Sequence, residues 1–219
     1  MRFAGPGNLG RAACRMAAVF SPPFYGRVPL ATYGSRGYFA PSATLHHSRA
    51  KYGSNVFIGD RVLIYEDHGG GTVEIGSGVH LHSDVTIQTG AGGSVTIGDD
   101  THVQPRCQFS AYRGPITIGR RVEMAPNCAF YPYDHGMDVD TPIRRQPLQT
   151  RGGINIEDDA WLGYGVVVLD GVRIGKGAVI GAGSVVTSDV PDNAVAVGVP
   201  ARVVKDRTSD RLAEQRARS

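Results

Sequence analysis

A period of six residues constrains this chain more than any other feature. From Ile156, a large aliphatic side chain recurs at Leu162, Val168, Ile174, Ile180 and Val186. Four places after each leader a small or β-branched residue usually stands, at Ala160, Val166, Val172, Ala178, Ser184 and Val190. Further hexads begin at Ile64, Leu81, Ile87, Val103, Phe109, Met124 and Phe130. The pair Ile-Gly recurs at Ile58-Gly59, Ile75-Gly76, Ile97-Gly98 and Ile118-Gly119. A helix would repeat its apolar residues every 3.6 positions, and a half-buried strand would alternate them. Neither fits.

Longer spacings agree. An apolar-x-Ile phrase begins at Val73, Val95, Ile116, Ile154 and Val172. The last interval is 18 residues, or three hexads, and those of 22 and 21 are 18 plus short insertions such as Gly90 to Gly93. The pattern predicts a triangular coil of three short strands, with the leader inside, the small residue near the corner, and glycine letting the backbone turn. Stacked coils lie about 4.8 Å apart, and each buries its apolar face against its neighbours. About seven coils fit between Phe39 and Val190. The 30 glycines among 219 residues thus belong to a rigid solenoid and not to a flexible chain.

Composition narrows the class further. A hydrophobic content of 41% excludes a disordered chain. No run approaches the ~20 apolar residues of a membrane span, and Arg11 to Phe20 is interrupted by Arg15 and lacks a signal-peptide core. The expectation is a soluble, cytoplasmic protein. Net charge is only +3, and the basic tail Lys205 to Arg218 interleaves Asp206, Asp210 and Glu214, which reads as a solvated end and not a nucleic-acid arm. Cys14, Cys107 and Cys128 form no CxxC. The latter two fall at inward filler positions in adjacent coils and read as core thiols.

The stretch Ile156-Glu157-Asp158-Asp159-Ala160-Trp161-Leu162-Gly163-Tyr164-Gly165, with Gly171 to Gly175 and Val179 to Thr187, resembles the left-handed β-helix hexapeptide acyltransferases. Pro191 to Ala194 and Val197 to Lys205 resemble the C-terminal end of the maltose, galactoside and capsular polysaccharide O-acetyltransferase branch. The likeness covers roughly residues 39 to 205 and is most specific from Ala125 onward. It implies an all-β, left-handed parallel β-helix. Residues 1–37 would form an N-terminal capping segment with a short helix over Leu9 to Phe20. Residues 38–204 would form the acyltransferase domain with an extruded loop at 131–153, and residues 205–219 a C-terminal tail able to form a helix. It also implies a homotrimer that transfers an acetyl group from acetyl-CoA to a saccharide hydroxyl, with no metal.

Regularity breaks once on a large scale, between Phe130 and Ile156. An insertion in a solenoid must project from it, and projecting loops carry function. Within this one lies Tyr133-Asp134-His135-Gly136-Met137-Asp138, downstream of Ala125-Pro126-Asn127. The family carries its catalytic histidine in such a loop after an Ala-Pro-Asn phrase, which selects His135. Histidine suits the step, because a base of near-neutral pKa must take the hydroxyl proton as attack begins. Its second ring nitrogen would be held by a backbone carbonyl or by a carboxylate such as Asp134 or Asp138.

Carried over residue by residue, the resemblance implies coenzyme A contacts at Tyr164, Ala182, Thr187, Ser188, Arg202 and Lys205. Arg202 and Lys205 suit phosphate oxygens. Family members often have a small residue at the place of Tyr164 and a lysine at the place of Ser188. Acceptor contacts fall at Asn127, Tyr133, Asp134 and Arg113; the galactoside branch has an acidic residue near Arg113. Arg144, Arg145, Tyr131 and Tyr133 could frame an anionic or glycan acceptor. Trp161 faces outward, either walling the groove or covering the coil edge.

Three other functions are weighed. They are an N-acetyltransferase on an amino sugar, a gamma-type zinc hydratase and a non-catalytic β-helix scaffold. The zinc enzymes' His-x-x-x-x-His pair is absent. His80 and His102 share a hexad position one coil apart on the outer face, which reads as a solvated or subunit-contact pair.

Overall fold

The hexad leaders converge on one axis. In the computed structural model, which describes residues 4–209, Ile58, Ile64, Leu81, Ile87, Phe109, Met124, Phe130, Leu162, Val168, Ile174, Ile180 and Val186 are all fully buried. The fillers Ala160, Val166, Val172, Ala178, Ser184 and Val190 are buried beside them. Phe109 and Phe130 stack in successive coils, with ring centroids 4.7 Å apart.

Among the described residues, strands from successive coils pair in parallel into three sheets. The first runs from Tyr38–Phe39 through Val179–Ile180 to Ala194–Val197 and Arg202–Asp206. The second has seven strands in coil order, from Thr44–His46 to Val185–Val186. The third has six, including Ile116–Ile118 and Ile154–Ile156. Each inner strand of a coil therefore finds its hydrogen-bond partners one coil above and one coil below. The final turn closes differently, because Ala194–Val197 pairs antiparallel with Arg202–Asp206. The tail expected from residue 205 thus begins as strand, and most of it, residues 210–219, lies outside the described residues.

Glycine plays two roles where one was expected. Corners take the left-handed conformation, but many use other residues, among them Asn55, Asp84, Arg106, Arg121 and Asn127. Where a glycine follows a large aliphatic residue of the repeat, it instead permits close approach between coils. A Cβ on Gly119 would stand 2.5 Å from the amide nitrogen of Asp158, and one on Gly163 would stand 2.7 Å from that of Ala182.

The N-terminal helix runs over Asn8–Val19, and a 3-10 stretch, not foreseen, over Phe24–Tyr33. Buried Cys14 accepts from the Phe39 amide at 3.4 Å, and Arg11 donates to the carbonyls of Pro41 and Ala43 at 2.7 and 2.5 Å. The segment therefore packs on the first coil. None of the described helices is long and apolar enough to cross a membrane.

Candidate active site

The chain leaves the second sheet after Ala129–Tyr131 and regains the third at Ile154–Ile156. What projects between them is an ordered hairpin. Asp134–His135 pairs antiparallel with Leu148–Gln149, placing His135 opposite Leu148. Gln146 staples the tip: its Nε2 donates to the Asp138 and Thr141 carbonyls at 2.8 and 2.6 Å, and its Oε1 accepts the Asp138 amide at 2.8 Å.

One buried carboxylate fixes the neck. Asp170 follows the strand Val167–Leu169, and its side chain is 1% exposed. It accepts from Thr150 Oγ1 at 3.0 Å, from the Gly153 amide at 3.0 Å and from the Arg151 amide. Sequence reasoning did not single it out. The available signal was an aspartate directly after a strand where the coil corner is otherwise regular.

His135 stands exposed on the first strand of this hairpin. Among the described residues its imidazole forms no hydrogen bond, and the two carboxylates expected to hold it are engaged elsewhere. Asp134 pairs with Arg151 at 3.4 Å, and Asp138 Oδ1 accepts the Asp140 amide at 2.8 Å. Strand geometry accounts for the first difference, because neighbouring residues point to opposite faces. The ring is therefore free to meet a substrate hydroxyl on its own side.

Of the expected acceptor residues, Tyr133 and Arg113 lie near the base of the hairpin. Asn127 sits instead at the corner before the strand Ala129–Tyr131, stacked on the corner of Tyr164 through the Gly165 amide and the Pro126 carbonyl. Asn127 occupies a corner with φ 63°. Its Oδ1 accepts from Arg106 Nε at 2.9 Å, while its buried Nδ2 lacks a partner among the described residues. Tyr133 packs against Tyr112 at 5.7 Å and Tyr131 at 6.3 Å between ring centroids. Arg113 is exposed at the next corner with φ 60°, and Arg144 and Arg145 lie on the exposed turn Ile143–Arg145 towards the tip. Tyr112, which ties this cluster to the sheet, was also missed.

The expected coenzyme A residues surround the last full coil. Tyr164 and Ala182 share a corner, where the Gly183 amide donates to the Tyr164 carbonyl at 2.7 Å. Thr187 and Ser188 follow the far end of the strand Val185–Val186. The segment Gly198–Ala201 is laid along Val185 by two backbone hydrogen bonds of 3.1 and 2.8 Å, which brings Arg202 to the same strand. Lys205 stands further off, opposite Val195 on the first sheet. Tyr164, Thr187, Ser188, Arg202 and Lys205 are exposed, and Arg202 donates to its own neighbour's carbonyl at Ala201. Small Ala182 and the hydroxyls suit an approaching pantetheine arm, and Arg202 suits a phosphate. Trp161, 53% exposed, lies in register between Glu123 and Val179.

The other notable clusters are packing arrangements. His80 and His102 stack at 4.4 Å with rings 3° from parallel, and His102 Nδ1 lies 3.0 Å from a Glu123 oxygen. His82 packs on Tyr25 and Phe57. Burial, followed by the neighbouring imidazoles, pushes His80 and His82 down to about 4. No group of three metal-binding side chains occurs among the described residues. Cys107 and Cys128 are buried free thiols, and both donate to the Ala125 carbonyl, at 3.3 and 3.2 Å.

Residues 153–188 match the bacterial transferase hexapeptide family (six repeats). The chain is 36% identical over 161 residues to the galactoside O-acetyltransferase of Lactococcus lactis, covering 74% of this chain and 64% of the relative. The chain thus carries the hexapeptide repeat of that family over residues 153–188. It spans less than two thirds of the length of the Lactococcus relative. Among solved structures, the polySia-specific acetyltransferase NeuO is similar, with a TM-score of 0.63 at 23% identity over 77% of this chain and 82% of that one. A point variant of AntD, an N-acyltransferase from Bacillus cereus in complex with dTDP-4-amino-4,6-dideoxyglucose and coenzyme A, gives a TM-score of 0.56 at 20% identity over 90% and 98%. These structural likenesses carry the fold, and the hexapeptide-repeat chain is accordingly a left-handed parallel β-helix of about 7 turns.

Proposed function

We propose that this hexapeptide-repeat chain is an acyl-CoA-dependent O-acyltransferase that moves an acetyl group from acetyl-CoA to a saccharide hydroxyl. The observation that carries this reading is the position of His135. Its imidazole makes no hydrogen bond among the described residues, on a stapled hairpin at the long break in the repeat, in a chain similar to a galactoside O-acetyltransferase.

His135 takes the acceptor hydroxyl proton while the hydroxyl oxygen attacks the thioester carbonyl carbon. The C–S bond then breaks, and the imidazolium returns the proton to the departing thiolate sulfur. Tyr164, Ala182, Thr187, Ser188, Arg202 and Lys205 bind coenzyme A, with Arg202 on phosphate. Tyr133 and Arg113 stand nearest the acceptor, Asn127 completes the set from its corner, and Asp134, on the opposite face of the strand, acts through its pair with Arg151 at the hairpin neck. The Asn127 Nδ2, buried without a partner, is a donor in need of an oxygen.

The unit is a cytoplasmic homotrimer in which residues 1–37 cap the coil stack, 38–204 form the catalytic domain and 205–219 a tail. An acceptor screen with acetyl-CoA, read as free thiol release, tests the assignment. A saccharide-dependent release is expected. A chain that releases no thiol with any hydroxyl acceptor, and gains no thermal protection from saturating coenzyme A, would be a scaffold.

A further inference from the structure

Two rows of outward side chains run down the second sheet from the hairpin, and the reading above leaves most of them without a role. In the first row Tyr65 lies opposite Gln88, and Gln88 opposite Ser110. Two residues further along the strands, on the same face, Gly90 lies opposite Tyr112. Glu66 opposite Thr89 carries that register to Asp67 beside Gly90. At the upper end Tyr133 rests on Tyr112, and His135 follows two residues later. The rows cross four coils, or three steps of about 4.8 Å, roughly 14 Å in all.

This strip is built and not incidental. Gly90 does not have a left-handed φ; its missing side chain makes room for the Tyr112 ring, whose Cε1 would overlap a Cβ placed there. Seated in that gap, the Tyr112 hydroxyl accepts from Gln88 Nε2 at 2.8 Å and donates to Asp67. The other Asp67 oxygen accepts the His68 amide at 2.7 Å. That hydroxyl and amide hold the Asp67 carboxyl below the usual carboxylate range. Among the described residues no cation forms an ion pair with it. Tyr65 is close enough for the charge of Asp67 to raise its own pKa, after the larger effect of burial.

We propose that this strip binds a chain of neutral sugar units running from the acceptor hydroxyl at His135 towards the N-terminal coils. The inference rests on the saccharide-acceptor reading and makes the acceptor a polymer or long oligosaccharide. Tyrosine faces present apolar area with a polar edge, which matches the C–H face and hydroxyl rim of a pyranose ring. Asp67 and Gln88 offer acceptors and a donor for ring hydroxyls. The Asp67 charge, in no ion pair among the described residues, disfavours a polyanionic glycan at this point of the strip and leaves a neutral chain unaffected.

The test uses the full chain with two ladders of neutral gluco-oligosaccharides, α- and β-linked, from one to six units. Binding is measured by calorimetry without acetyl-CoA, and acetyl transfer by thiol release. Affinity is expected to rise about tenfold from one unit to six in one ladder. Tyr65→Ala, which removes a partly buried ring from the strip, and Gly90→Ala, which displaces the Tyr112 ring, should each reduce that gain about fivefold. No gain with length in either ladder would overturn the proposal, as would a gain untouched by both variants. Tighter binding of sialic acid oligomers of equal length would also overturn it. A fall in oligomeric mass in Tyr65→Ala by ultracentrifugation would overturn it too, by showing that a second copy of the chain covers the strip. Length-dependent binding without thiol release supports the strip while removing the catalytic reading; release without length dependence does the reverse.

Discussion

Replacing Asp170 with alanine isolates the part of the structure that holds His135 out from the solenoid. The carboxylate accepts three hydrogen bonds, all from residues 150–153 at the hairpin neck. Hydrogen bonds to a charged group contribute about 1.5–3 kcal/mol each, so three independent ones would sum to about 5–9 kcal/mol. They are not independent, because all three sit within four residues and are lost together. Arg151 is 63% exposed, so part of the freed neck regains water. The expected loss is therefore about 2–4 kcal/mol, confined to the hairpin. In native-state hydrogen exchange, the Arg151 and Gly153 amides should exchange about 30- to 1000-fold faster, while amides of the core strands barely change. Acetyl transfer should fall with them, because the base is no longer held in position. Asp170→Asn keeps one acceptor oxygen and should fall between. Unchanged protection at Arg151 and Gly153, or an equal loss throughout the solenoid, would refute the clamp.

Three further outcomes follow from the same geometry. Phe130→Ala empties half of the stacked Phe109–Phe130 pair and should cost about 3–5 kcal/mol, lowering Tm by roughly 6–20 °C in a scan. His80 and His82 have folded pKa values of about 4, below the ordinary 6.5. The unfolded chain therefore binds their protons first, so the stability they contribute is complete above about 6.5 and is lost as pH falls towards 4. Urea midpoints should drop across that window, and His82→Gln should flatten the slope; an unaltered slope contradicts the burial of that ring. Arg202→Ala should weaken coenzyme A binding about tenfold or more by calorimetry without shifting Tm, as expected for an exposed phosphate partner.

The solenoid was legible because its physics is local: each coil must bury one large side chain per face, and that demand writes a six-residue period into the sequence. The period fixed which residues point inward, and Cys107, Cys128 and Trp161 lie as it places them. The glycines that follow some leaders were legible as a signal but not in their cause, since the clearance they provide belongs to the neighbouring coil. The hairpin carried no comparable period. Its order comes from Gln146 and Asp170, single polar side chains that bond to backbone groups, and one residue leaves no pattern. For the same reason Asp134 could be assigned to His135 when it pairs with Arg151: adjacency in sequence gives reach, while strand alternation decides direction. Tyr112 and Asp67 are 45 residues apart. Only the stacking of the coils brings them together.

The proposed transfer needs His135 as its base. The most direct measurement compares kcat of the wild type and His135→Ala by thiol release from acetyl-CoA, with coenzyme A affinity measured alongside by calorimetry. A loss of about 10²- to 10⁴-fold in kcat with affinity nearly unchanged is the expected result. Turnover at the wild-type rate in the variant would contradict it.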